Sequence, residues 1–149
     1  MSADPRPRRS RGQRGTLSLE LAIIAPLLLL LLFLFIAYGR FGQTTGLLEQ
    51  GARDSARSAT QARSAEEMWT IVDEVAAQTA DSLPGSCAGT LRPSVAYEGE
   101  QASFARGSFV TVTYTCNLSM SDLLLPGWTD RTITRSFTSR LDPNRGVYQ

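Results

Sequence analysis

Between Thr16 and Gly39 a single side chain is ionised, that of Glu20. At 1.5 Å per residue, about 20 helical residues cross a ~30 Å hydrocarbon core. The stretch is long enough and reads as a membrane span. Arg6, Arg8, Arg9, Arg11 and Arg14 precede it and Arg40 follows it. That imbalance places the N-terminus in the cytoplasm and everything after about Arg40 outside. A cleaved secretory signal is the rival reading. It calls for a shorter apolar region followed by small residues in an A-x-A-like pattern, whereas "YGRFGQTTG" follows here. Pro26 is no objection, because membrane helices re-satisfy the carbonyl that a proline frees.

Past the span, Gly39, Gly42 and Gly46 are expected to loosen the exit from the membrane. A helical stripe then takes over: Leu48, Ala52, Ala56, Ala59, Ala62, Ala65, Trp69, Val72, Ala76, Thr79 and Leu83. Glu49 and Arg53 stand at i, i+4 with the acid first, the favourable order. "LPGSC" at Leu83–Cys87 ends the helix. The first half of the stripe is nearly all alanine and the second half is bulky. Two readings stay open. The alanines face another helix or are thinly covered, or they reflect helix propensity alone.

From Cys87 the period changes to two. "SVAYEGE" (94–100), "SFVTVTYTCN" (108–117) and "RTITRSFTSRL" (131–141) read as strands. In the second, Val110, Val112, Tyr114 and Cys116 share one face. In the third, Ile133, Phe137 and Leu141 point inward. The expected fold is α+β: one membrane helix, a long amphipathic helix and a small antiparallel sheet. The expected divisions are a basic cytoplasmic leader (1–15), the transmembrane helix (16–39), a long extracytoplasmic helix (40–86) and a β-rich domain (87–149). Outside the membrane, Cys87 and Cys116 read as one disulfide, against the alternative of two unpaired interior thiols. The apolar loop "MSDLLLPGW", with Leu123, Leu124, Leu125 and Trp128, reads either as a docking surface or as a cap on the open end of the sheet.

The composition argues against most chemistry. With no His, His-dependent triads and His-ligated metals are excluded. All 15 basic residues are Arg, so no Walker-type lysine exists. Two cysteines so far apart in the chain are not a zinc signature. The five leading Arg sit on a short tail rather than on the folded domain, so the charge does not point to nucleic acid. No catalytic, metal or cofactor residues are assigned.

Arg14 and Gly15 close the leader, Glu20 is the fifth residue after Gly15, and Pro26 follows inside the apolar run. This pattern resembles the bacterial type IV pilins and pseudopilins, and "RGTLSLELAIIAPLLLLLLFLFIAYGR" looks specifically like the TadE-like family of tight-adherence (Flp pilus) systems. The resemblance covers that quoted stretch, Arg14 to Arg40. It implies cleavage between Gly15 and Thr16 by a prepilin peptidase and a role for Glu20 in assembly, with Pro26 part of the same pattern. It also implies a non-catalytic pseudopilin in the cell membrane. The implied partners are the lipid bilayer, the membrane platform and secretion ATPase of a pilus system, and other pilin-like subunits.

On that reading the new Thr16 amine meets Glu20 of a neighbouring subunit, a charge-assisted pair that is costly to break from one side. The plainer reading is a Glu20 lying shallow at the cytoplasmic interface, on the positive end of its own helix. A single-pass anchored extracellular binding module unrelated to pili is the alternative function.

Overall fold

The computed structural model describes residues 13–98, 104–119 and 130–143, with side chains of the first helix from Leu19 on. The elements are α1 (Gln13–Ala59), α2 (Ala65–Ser82), α3 (Gly85–Thr90), β1 (Arg92–Glu98), β2 (Phe109–Leu118) and β3 (Arg131–Arg140). The three strands form an antiparallel sheet in the order β1-β2-β3. The class is α+β, as the periodicities indicate. Two compact units divide the chain, Met1–Ile36 and Ala37–Gln149. The described part of the first is the N-terminal stretch of α1. The second holds the rest of α1 and every other element. The loop carrying Leu123, Leu124, Leu125 and Trp128 lies outside the described residues.

α1 continues through Gly39, Gly42 and Gly46, so these glycines do not loosen the chain at the membrane exit. Each costs about 1 kcal/mol against alanine in a helix. That is too little to stop a helix flanked on both sides by long runs of good formers. A Cβ added at any of the three would have nothing within 4 Å.

The single amphipathic stripe is in fact carried by two helices. α1 ends at Ala59, where the Thr60 hydroxyl donates to the Arg57 carbonyl at 2.6 Å. Ser64 then caps α2: its Oγ accepts from the Glu67 N–H at 3.2 Å, while Glu67 Oε2 accepts from the Arg63 N–H at 2.7 Å. This is a variant of the S-x-x-E capping box in which the Glu67 carboxylate reaches one residue past the N-cap, to the Arg63 N–H. Glu66 and Glu67 add negative charge to the positive first turn. Restarting the helix resets its phase. Ala52, Ala56, Ala59 and Ala62 are buried as the stripe requires, but in α2 the buried set is Met68, Val72 and Ala76. Trp69, expected inside, is 41% exposed, and Ala65 is exposed as well.

α2 stops at Ser82, and Leu83 caps it by donating its N–H to the Ala80 carbonyl. Pro84 then caps the six-residue α3, a helix that the sequence reading, which takes Leu83–Cys87 only as a helix stop, does not anticipate. The sheet is centred on β2, whose Val110, Val112, Tyr114, Cys116 and Leu118 are all buried. Val112 sits between Val95 of β1 and Phe137 of β3, and Cys116 lies opposite Ile133. Gly107 enters β2 at φ +78°, a backbone state that side chains disfavour. At that end of the sheet the Leu141 N–H donates to the Ser108 carbonyl at 2.8 Å. The outer face is polar, with Thr111 and Thr138 bonded at 2.8 Å and Thr132 donating to Asn117 Oδ1 at 2.8 Å.

The alanine half of the stripe is core: Ala52, Ala56, Ala59 and Ala62 are enclosed, so these alanines are neither thinly covered nor present for helix propensity alone. Tyr114 rises from β2 to α1, where its hydroxyl bonds that of Ser55. A Cβ on Gly51 would lie 2.6 Å from both Cγ2 and Oγ1 of Thr79 on α2, and 3.1 Å from Tyr114 Cε2. Small side chains on α1 therefore set how closely α2 and the sheet approach. At the rim, the Arg53 guanidinium covers the Phe137 ring at 5.2 Å and pairs with Glu49 at 3.3 Å.

Candidate functional site: the apolar helix and its carboxylate

The first part of α1 is built for lipid. Every large apolar side chain from Leu19 to Phe41 is exposed, on all sides of the helix. An apolar surface of that extent is not left to water. A helix apolar all round belongs in a protein core or a bilayer, and among the described residues these side chains are left exposed. Among the described residues it is the one helix long and apolar enough to cross a membrane. One long apolar helix near the N-terminus is the form of a single-pass anchor.

Glu20 stands exposed in the first turns of this helix. Thr16 precedes it by four residues, which places both positions on one helical face. The Gly15–Thr16 bond lies in the first turn. Pro26 lies inside the helix, six residues beyond Glu20. Without an N–H it leaves the Ala22 carbonyl lacking its intrahelical donor. In lipid that cost is met by neighbours or local adjustment. One stretch of α1 thus carries Gly15, Thr16, Glu20 and Pro26.

Cys87 and Cys116 are bonded to each other and buried, with 5.0 Å between their Cα atoms. The bridge ties α3 to β2. Two hydrogen bonds reinforce it: the Asn117 N–H donates to Thr90 Oγ1 at 2.9 Å and the Ser119 N–H to Ser86 Oγ at 3.2 Å. The sequence reading finds the cysteine pair but misses these α3 hydroxyls. The only local signal for them is the Pro84-Gly85 start, which serves equally as a helix stop.

The buried polar centre of the second unit is Ser55 with Tyr114. Burial pushes the Tyr114 phenol above its ordinary pKa, and the charges of Asp73 and Asp54 push the same way. The hydrogen bonds from Ser55 and Thr79 act in the opposite sense. Both Ser55 and Tyr114 are fully enclosed. The chain has no imidazole, and among the described residues no carboxylate is bonded to either hydroxyl to take a proton. The pair is a structural contact. Among the described residues no group of three or more His, Cys, Asp or Glu is placed to hold a metal.

Residues 15–57 match the family model described as TadE-like protein. The matched stretch opens at Gly15 and closes in the last turn of α1, taking in the apolar run and the alanine face beneath Tyr114. The resemblance carried by Arg14, Gly15, Glu20 and Pro26 is borne out over that range. The match supports involvement in a tight-adherence pilus system and association with its machinery and the membrane. The matched family is pilus-associated and structural, and is not known for catalysis. No curated protein matches. No solved structure matches.

Proposed function

We propose that the chain is a TadE-like minor pseudopilin, a non-catalytic membrane-anchored component of tight-adherence pilus assembly or of a related secretion machine. One observation carries the reading: the family match begins at Gly15, on a helix whose apolar run holds a single carboxylate five residues later. The leader 1–15 stays in the cytoplasm, and a prepilin peptidase cuts it after Gly15. Residues 16–39 cross the membrane with the N-terminus inside. The rest of α1, α2 and the disulfide-bonded 87–149 segment stand outside.

The cut leaves a positive amine on Thr16 at the membrane face. Glu20 of a neighbouring subunit neutralises it as the helices stack, and the pair sets their register. The carboxylate costs about 2.5–3.5 kcal/mol at a bilayer centre on insertion scales. It is kept because packing among like helices needs the charge. The partners are the bilayer, the peptidase, the membrane platform and secretion ATPase, and other pilin-like subunits.

Intact-mass and N-terminal analysis of protein from its native host tests the processing step. Thr16 is the expected first residue. A full-length species in the presence of an active prepilin peptidase overturns that step and leaves the anchor standing. Deleting the gene tests the assignment itself. Surface piliation and adhesion are expected to fall, and unchanged piliation removes the pilus reading.

A further inference from the structure

Among the described residues β3 has a neighbouring strand on one side only. The Leu141 N–H donates to the Ser108 carbonyl, in the same register that sets Phe109 opposite Arg140. In an antiparallel ladder such bonded pairs alternate with unbonded ones. Arg131, Ile133, Arg135, Phe137 and Ser139 therefore turn their backbone polar groups to β2. Thr132, Thr134, Ser136, Thr138 and Arg140 turn theirs outward. The Asn117 N–H agrees with this phase, since it bonds Thr90 Oγ1 instead of crossing to Thr132. All the outward residues are exposed. Among the described residues one of their outward backbone groups is occupied: the Thr134 carbonyl accepts from the Arg135 guanidinium at 2.8 Å.

The other edge of the sheet differs. The same alternation turns Pro93, Val95 and Tyr97 of β1 outward, and proline has no N–H to offer. β1 is a blunted edge, whereas β3 is an open one of ten residues.

β3 carries Arg131, Arg135 and Arg140 and no acid, with Asp130 and Asp142 beyond its ends. Charge on an edge guards against self-association. A second copy of β3 would bring more guanidinium groups and no carboxylate to the seam, and like charges across a strand pair destabilise it. The same charges suit a strand of opposite sign. We propose that the β3 edge takes an extended acidic segment of another protein as a fourth strand. The outward N–H and C=O groups supply the new ladder. The segment's carboxylates meet Arg131 and Arg135, which frees the Thr134 carbonyl for pairing. Its apolar side chains extend the inner face beside buried Ile133 and half-buried Phe137. The contact lies wholly in the second unit and does not depend on the pseudopilin reading.

The probe is the labelled peptide ETVTETVTE, whose pattern is the same in either direction. It sets glutamates opposite Arg131 and Arg135 and valines opposite Ile133 and Phe137. Its binding to the full chain in nonionic detergent is measured by fluorescence anisotropy at low salt. It is expected to bind at least about tenfold more tightly than RTVTRTVTR, which reverses the charge, and than EPVPEPVPE, which keeps the charge but lacks the facing donors. Arg135→Glu is expected to weaken ETVTETVTE by about tenfold and to strengthen RTVTRTVTR. Bound peptide should slow hydrogen exchange at the amides of Thr134, Ser136 and Thr138. Equal binding of ETVTETVTE and EPVPEPVPE overturns strand addition and leaves plain charge attraction. Equal binding of ETVTETVTE and RTVTRTVTR overturns the acidic partner. No binding, or binding with unchanged exchange at those amides, overturns the proposal and makes the arginines a guard alone.

Discussion

The hydroxyls of Ser55 and Tyr114, 59 residues apart in the chain, are hydrogen-bonded inside the core. The contact joins α1 to the central strand. Replacing Tyr114 by Phe leaves the Ser55 hydroxyl buried and short of its partner, at a cost of about 1–3 kcal/mol. Thermal unfolding of the detergent-solubilised full chain is expected to drop by several degrees. An unchanged midpoint would show the contact to be energetically idle.

Tyr114 also predicts a response to base. Its phenol ionises above the ordinary 10.0 in the folded protein and at that value once unfolded. The unfolded state therefore sheds its proton first. The associated stability is complete below pH 10.0 and is lost as pH rises from there through the folded-state pKa. Unfolding midpoints measured from pH 9 to 11 should fall more steeply for the natural chain than for Tyr114→Phe. Parallel curves would refute this.

Gly51 and Gly46 should respond oppositely to alanine. A Cβ at Gly51 meets both branches of Thr79 at 2.6 Å, and a β-branched side chain has no rotamer that moves both away. Overpacking of about 1–3 kcal/mol outweighs the gain of up to about 1 kcal/mol in helix propensity. At Gly46 the space is open, so alanine keeps that gain. Melting temperatures of the two variants should bracket that of the natural chain.

The Cys87–Cys116 bridge closes a loop of about 30 residues, worth roughly 3–4 kcal/mol in the chain-entropy model. Converting both cysteines to alanine should lower stability by that order. In non-reduced, membrane-extracted protein neither cysteine should react with a thiol label. Two reactive thiols would contradict the bridge and weaken the outside placement of the domain.

Ser64→Ala removes the cap at the start of α2 and should cost about 1 kcal/mol. Ser64→Asp should restore it. Equal melting temperatures for all three would mean that packing alone fixes where α2 begins.

Glu20→Ala should insert at least as well as the natural chain, since it makes the anchor more apolar, yet abolish assembly. Glu20→Gln should be nearly as damaging, because it keeps shape and some hydrogen bonding but not charge. Normal piliation at normal membrane level would return Glu20 to a shallow, incidental position.

The sequence by itself determined the parts that local pattern controls. The run from Thr16 to Gly39, with its one charge, is long and apolar enough for a span. Strict alternation from Val110 to Cys116 assigns one face of β2 inward because a strand has period two. Two cysteines permit one bridge. Even the boundary at Ser64 was written locally, as S-x-x-E, but a stripe of alanines at helical spacing ran across it and hid it. Only the tertiary structure decided the rest. That Met68 is buried and Trp69 is not depends on where α2 restarts, since a shift of one residue turns a helix by about 100°. That the alanines of α1 are core follows from Tyr114, Thr79 and Gly51 meeting in three dimensions, which no spacing along the chain encodes. Helical period says which residues share a face. What that face meets, and how closely, is settled by the elements packed against it.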